Sequence, residues 1–426
     1  TDPPCITMNA ILQAVDAAPS VPHFDGAVRP GAPELQALFD AIAQGAAQRD
    51  STRSHPYEAV AWLRQARFGA FRLPAAIGGG GATLRQLFEA VLSLGAADSN
   101  VAHVLRNHFS FIERFVVPLA GDPTHPWVKA VLDGAIFGLA SGELASRSVG
   151  QRHLETTLVP DPDDTQGGWL LNGIKFYSTG SLYADYVLVR AHTPDGTNAS
   201  AVIPADRQGL QLDDDWDGIG QRLTGTGTTH LRQVRVRADE VLLDSAGANY
   251  ALAYSSTLPQ LFLTTVAAGI VRAVEADAIA LVHRRGDRNF AHSPAERAVD
   301  DPVIQQSVGE ISSAAFATEA TVLAAADALD RADQARQTLG GEQAELAHAA
   351  AVAAAKAKVV VDELAVRAAS QLFDVGGASA ATQRYNLDRH WRNVRTLASH
   401  NPATLKARSV GEQALHGTEL PRTGFF

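Results

Sequence analysis

"WLLNGIKFYSTG" (Trp169–Gly180) decides how this chain is read. Asn172-Gly173 carries a hairpin-turn signal. The run after it alternates, with Lys175, Tyr177 and Thr179 on one side and Phe176 and Ser178 on the other. An aromatic ring and a hydroxyl on one strand face suit stacking and hydrogen bonding to a planar ring; an ordinary amphipathic strand satisfies the same pattern. The neighbouring runs "DYVLVRAH" (Asp185–His192), "SAVIPA" (Ser200–Ala205) and "THLRQVRV" (Thr229–Val236) are β-branched or aromatic and cut by Gly, Asp and Pro. They read as an antiparallel sheet or a small barrel.

Helical periodicity flanks this β zone. "ELQALFDAIAQGAAQRD" (Glu34–Asp50) and "TLRQLFEAVLSLGAADSNVAHVLRNHFSFIERF" (Thr83–Phe115) place apolar residues three and four apart. "AELAHAAAVAAAKAKVVVDELAVRAASQLFDVGG" (Ala344–Gly377) is an Ala-rich helix that stops at Gly376-Gly377. The expected organisation is a tail over 1–32, a helical domain over 33–149, a β-domain over 150–244 and a helical bundle over 245–426. Helices, then strands, then helices make a segregated, mainly α architecture rather than an alternating α/β one.

Composition narrows the function classes. The 426 residues are 46% apolar and carry a net charge of −10, with no long Lys/Arg run, so nothing offers a footprint for nucleic acid. The single cysteine, Cys5, rules out an intrachain disulfide framework. The most apolar stretch, Leu261–Val271, is too short to span a bilayer. A cytoplasmic protein is the expectation.

Several motifs fail their tests. "GGGG" (Gly78–Gly81) lacks the Lys-Ser/Thr of a phosphate loop and reads as a loop before a helix. "GTGTTH" (Gly225–His230) lacks the third glycine of a dinucleotide fingerprint. His103 and His108 are five residues apart, so on one helix they point about 140° from each other and share no metal face. His108 alone reads as a packed helix histidine. "HRRGDRN" (His283–Asn289) puts Arg285 and Arg288 at a helix end, as a solvated terminus or a phosphate clamp. In "TLASHNP" (Thr396–Pro402) the proline ends the helix near Asn401 and leaves His400 at that end.

Taken together, "LPAAIGGGG", "RNHFSF", "SGELASRS", "LNGIKFYSTGSLYADYVLV", "WDGIGQRLTGTGTTHLRQVRVRADEVL", "QLFDVGG" and "WRNVR" resemble the acyl-CoA dehydrogenase superfamily over nearly the whole chain. The resemblance implies an N-terminal helical domain, a middle β-domain and a C-terminal four-helix bundle, assembled as a homotetramer. No acidic residue lies between Val394 and Leu405, where dehydrogenases of this family commonly carry their glutamate base. "FYSTGSLYADY" and "DRHWRNVRTLASHNP" instead resemble the flavin-dependent monooxygenase branch, which includes dibenzothiophene, sulfur-acquisition and amine-oxidising enzymes.

That branch implies reduced FMN (or FAD) from a separate NAD(P)H:flavin reductase, dioxygen, and a C4a-(hydro)peroxyflavin that oxygenates a small apolar substrate. An organosulfur compound comes first, then an amine or aromatic heterocycle. By the same resemblance, His400 and His108 manage the proton from opposite sides. Ser141, Ser178 and Thr179 bond the flavin ring, and Tyr177 and Trp216 wall it. Arg285 or Arg288 holds the phosphate, helped by Gln371, Gly376 and Gly377 of a neighbouring subunit. Two rivals stay open: an acyl-CoA dehydrogenase with a displaced base, and a non-catalytic oligomeric ligand-binding scaffold.

Overall fold

The structure, a computed structural model, describes residues 21–144, 154–244, 250, 252–339, 343–422 and 426. Helices α1 (Pro33–Gln44), α2 (Ala46–Thr52) and α3 (Tyr57–Gln65) come first. The periodic stretch Thr83–Phe115 is not one helix. α4 (Leu84–Ala97) starts on a reciprocal cap: Gln86 N–H donates to Thr83 Oγ1, and Thr83 N–H donates to the Gln86 side chain. It ends at Asp98, whose carboxylate accepts the N–H groups of Asn100 and Val101 and opens α5 (Ser99–Val104). α6 (Arg106–Phe111) follows a break at Leu105, and α7 (Pro126–Leu132) closes the zone. A local side-chain bond to the backbone has outweighed the continuous periodicity.

The β zone is a mixed eight-stranded sheet, not an all-antiparallel one. Its strands are β1 (Phe137–Ala140), β2 (Thr157–Pro160), β3 (Trp169–Lys175), β4 (Tyr186–His192), β5 (Asn198–Pro204), β6 (Leu210–Leu212), β7 (Thr229–Val236) and β8 (Val241–Leu243). The order is β6-β7-β3-β2-β4-β5-β8, with β1 parallel to β4. β1 therefore joins the sheet from before residue 150.

Asn172-Gly173 makes no hairpin turn. β3 runs through it, and its register against β7 shifts between Leu171 and Gly173. Asn172 Oδ1 accepts from the N–H of Gln233 at 2.8 Å, and a Cβ on Gly173 would enter the Thr156 side chain. The Asn-Gly pair thus builds a bulge. The expected alternation also stops at Lys175. Tyr177 takes φ 58°, so Lys175 is fully buried against Glu143 while Tyr177 is 58% exposed.

The last zone holds α8 (Thr257–Arg285), α9 (Pro302–Leu339), α10 (Ala344–Gly376), α11 (Asp388–Ala398) and α12 (Ala403–His416). α10 ends at Gly377 with φ 57°, the stop read from the sequence. Among the described residues no helix is long and apolar enough to cross a membrane. One apolar core runs from Val28 and Leu38 through Leu92 and Phe109 to Val266, Val361 and Leu397, so the first and last helical zones share an interior.

Two glycines set how closely those zones meet. A Cβ on Gly269 of α8 would lie 2.6 Å from the Leu92 carbonyl oxygen, and one on Gly95 of α4 would lie 3.2 Å from Val266 Cα. Gly269→Ala should therefore destabilise the protein by about 1–3 kcal/mol, because only a backbone shift can relieve the clash. Urea unfolding measures this, and an unchanged midpoint would show that the helices do not cross so closely.

Candidate functional site

The α5–α6 break places two adjacent side chains on two walls. Asn107 donates from Nδ2 to the carbonyl of Thr179 at 2.7 Å. Arg106 donates from NH1 to His400 Nε2 at 3.4 Å and from Nε to the Pro259 carbonyl at 2.9 Å. The β-domain and the α11–α12 junction thus face each other across one joint.

The β-domain wall gathers five of the expected residues. Phe176 N–H donates to Gly142 O at 2.9 Å, which brings Ser141, at the end of β1, beside the Tyr177 turn. The Tyr177 and Trp216 rings meet edge-to-face, with centroids 6.1 Å apart. Trp216 is anchored by donating from Nε1 to the Gln221 carbonyl at 3.1 Å. Gly180 is required here, since a Cβ would press on the Val104 carbonyl oxygen and its φ is 84°.

Neither hydroxyl on this wall points idly. Ser178 Oγ accepts from Thr229 Oγ1 at 2.8 Å inside the sheet. Thr224 donates to the Gln221 carbonyl at 2.9 Å, so Thr226 donates to Thr224 and Thr179 donates to Thr226. That direction leaves Thr179 Oγ1 as an acceptor for a ring N–H.

The opposite wall carries His400. α11 ends at Ala398, and the proline-bounded turn presents the imidazole beside Arg106. His400 keeps an exposed face, and partial desolvation by the surrounding helices, with Arg106, the nearby His103 and Lys358, lowers its pKa below the ordinary histidine range. The imidazole is therefore neutral at pH 7, with one nitrogen able to donate and the other able to accept.

His108 is placed differently from the expectation. It is fully buried, Nε2 donates to Gly69 O at 3.0 Å, and Nδ1 accepts from Phe137 N–H at 3.1 Å. Both ring nitrogens hold backbone, so His108 fastens β1 to the helical domain, and desolvation pushes its pKa down to about 4. The histidine that approaches His400 is His103. Its Nδ1 lies 2.9 Å from Gln221 Oε1, and its buried Nε2 has no hydrogen-bond partner among the described residues. Burial and Arg106 take its pKa down to about 3. Sequence spacing set His103 aside as half of a failed metal pair; only the break at Leu105 turns it inward.

The phosphate residues form a separate group. Arg285 lies with Cζ 5.3 Å from the Phe290 ring centroid and NH2 3.3 Å from where a Gly377 Cβ would stand. Gly376 packs beside Leu281, and Arg288 is exposed near the same helix end. Gln371 donates from Nε2 to Glu310 Oε2 at 2.6 Å on the outer face of α9–α10. Gln260 reaches Asn401, next to His400, from the opposite end of α8. With a rise of 1.5 Å per residue, Arg285 is about 38 Å further along that helix. One chain does not bring Arg285 and His400 to the same flavin.

The architecture defines the class: an acyl-CoA dehydrogenase fold. Residues 261–404 match the family model "Acyl-CoA dehydrogenase, C-terminal domain". The chain is 29% identical to dibenzothiophene monooxygenase of Mycolicibacterium goodii, over 89% of this chain and 91% of that protein. It is 28% identical to the probable FMNH2-dependent monooxygenase SfnC of Pseudomonas putida, over 93% and 98%. The crystal structure of TdsC from Paenibacillus sp. A11-2 with FMN and indole superimposes with a TM-score of 0.81 at 27% identity, covering 92% of this chain and 98% of that one. Over most of its length the chain is thus similar to flavin-dependent monooxygenases that share the acyl-CoA dehydrogenase fold.

The buried neutral histidines make stability depend on pH. In the unfolded chain His108 protonates near pH 6.5, but in the folded chain only near 4, so below 6.5 the unfolded state binds more protons. Stability is then lost as pH falls, by about 1.4 kcal/mol for this residue between pH 7.5 and 5.5. His108→Gln should remove about that much of the pH dependence of urea unfolding; an unaltered slope would mean that His108 titrates normally.

Proposed function

We propose that this chain is a two-component monooxygenase. It takes reduced FMN from a separate NAD(P)H:flavin reductase, uses dioxygen through a C4a-(hydro)peroxyflavin, and oxygenates a small organosulfur compound. The observation that carries the reading is His400 facing His103 and Arg106, with no carboxylate among the described residues at the α11–α12 junction. A dehydrogenase must remove an acidic proton beside a thioester, and Asp362 of α10 is tied to Lys358 at 2.7 Å. The names of the relatives, FMNH2-dependent and dibenzothiophene-oxidising, support the cofactor and the substrate class.

The residues fit a bound flavin. Tyr177 and Trp216 offer an open aromatic wall, Ser141 lies beside it, and Thr179 Oγ1 offers an acceptor. FMN supplies the capacity to activate dioxygen. This chain's residues orient the ring, keep water from it, and hold a proton between His400 and the reacting atoms. Arg285 and Arg288, with Gln371, Gly376 and Gly377, reach the phosphate end only from a second copy of the chain. Phe316 (77% exposed) and Val303 on the outer face of α9 support such an assembly, a homotetramer.

Two measurements test the reading. Anaerobic protein with reduced FMN, mixed with oxygenated buffer, should show a long-lived absorbance transient before oxidised flavin returns. His400→Ala and His103→Ala should shorten it by about 100-fold, while folded His108→Ala should leave its lifetime near that of wild type. Immediate reoxidation in wild type, with acyl-CoA bleaching of tightly held FAD, would overturn the proposal in favour of a dehydrogenase. Arg285→Gln should weaken FMN binding at least about tenfold, and light scattering should report an oligomer; a monomer that binds FMN normally would remove the second copy from the site.

A further inference from the structure

The turn between α2 and α3 grips the loop that carries Trp216. Arg53 donates from NH2 to the Trp216 carbonyl at 3.0 Å and to Asp214 Oδ1 at 3.3 Å. Two residues on, the His55 ring lies between Tyr183 and Asp214. Its Nδ1 is 2.6 Å from the Tyr183 hydroxyl, and its Nε2 is 2.8 Å from Asp214 Oδ2. The Tyr183 hydroxyl in turn reaches the Leu223 carbonyl at 2.5 Å. The loop is thus held near both ends, at Asp214–Trp216 and at Leu223.

Counting protons along this chain of bonds fixes their places. A carbonyl only accepts, so Tyr183 spends its one proton on Leu223. Burial pushes that phenol well above its ordinary range, so it keeps the proton. The Tyr183 oxygen must then accept from His55 Nδ1–H. The Asp214 carboxylate also only accepts, so His55 Nε2–H donates there. Both ring nitrogens carry protons, and the set of bonds is complete only for the imidazolium. Asp214 meets its charge, and Arg53 and the Tyr57 and Tyr183 rings complete the surroundings. Asp98, a further acid toward Tyr183, is already bound to Arg49.

We propose that His55 is a positioning residue for the flavin wall, a proton-operated clasp: the imidazolium holds the Trp216 loop at both ends, and loss of one ring proton frees one of them. This rests on the flavin reading of Tyr177, Trp216 and Thr179. With a single ring proton, kept toward Asp214, Nδ1 becomes an acceptor. Tyr183 then donates either to Nδ1 or to Leu223, and one acceptor goes unpaired. Leu223 is fully buried and adjoins Thr224, where the hydroxyl relay from Thr179 through Thr226 ends on the Gln221 carbonyl. The proton on His55 therefore bears on two parts of the wall, the Trp216 ring and the Thr179 acceptor.

Two readouts on the full chain, taken from about pH 5.5 to about pH 8, test the clasp. One is fluorescence titration with oxidised FMN; the other is hydrogen–deuterium exchange of the amides over 213–224, corrected for the intrinsic pH dependence of exchange. FMN affinity should fall about fivefold as pH rises through the imidazole range, and loop protection should fall with it. Tyr183→Phe and His55→Gln should bind FMN weakly throughout and lack that fall, while sharing any titration of the FMN phosphate itself. Asp214→Asn should move the fall to lower pH, because removing the anion disfavours the imidazolium. A merely structural contact would weaken binding without moving the midpoint. The inference is overturned if Tyr183→Phe keeps the wild-type pH dependence, or if Asp214→Asn leaves the midpoint in place. Should His55→Gln not fold, the other two variants still decide. A wild type whose loop protection does not change with pH overturns the clasp alone. Loop protection that changes with pH in a protein that binds no FMN overturns the flavin reading, and with it the role given to His55.

Discussion

Much of this molecule depends on one buried amide. Gln221 is almost fully enclosed and sits at φ 51°. Its Oε1 meets His103 Nδ1 at 2.9 Å, its Nε2 donates to Ser99 Oγ at 3.0 Å, and its backbone N–H donates to Asn393 Oδ1 at 2.6 Å. Three chain zones therefore meet on one residue. Gly220 lets this happen, because a Cβ there would run into the Arg392 carbonyl of α11. A buried polar network of this kind is worth keeping only when complete, so it places the helical joint and the β-domain loop in one register.

The same network fixes protonation. Because Gln221 Oε1 accepts from His103 Nδ1–H, the proton sits on Nδ1 and the bare Nε2 turns inward. Arg106, three residues on, keeps His103 and His400 neutral by its charge and by the packing around it. The joint thus sets two neutral imidazoles beside a cation. The carboxylate base of a dehydrogenase would neutralise Arg106 and make the opposite kind of site.

Most of the architecture was legible in the residues. The β zone, the Gly376-Gly377 helix stop, the loop at Gly78–Gly81 and the helix end before Pro402 all stand where patterning put them. Tyr177 and Trp216 meet edge-to-face near Ser141, while Ser178 turns into the sheet toward Thr229. What patterning misread were positions where a side chain competes with regular structure. Asp98 caps a new helix inside a continuous apolar period, and Asn172 bonds Gln233 across a bulge instead of turning a hairpin.

Periodicity and turn chemistry are local, so the sequence by itself determined the zones and most element types, and placed His400 at a helix end before Pro402. Whether His103 or His108 faces His400 was decided only by the tertiary structure. The two differ by five residues, and the break at Leu105 and the backbone bonds to Gly69 and Phe137 assign one inward and bury the other. Tertiary structure likewise separated Arg285 from His400 along the length of α8, and it set Arg106 against His400 and the Pro259 carbonyl. Both follow from distances between segments remote in the chain, which no local pattern encodes.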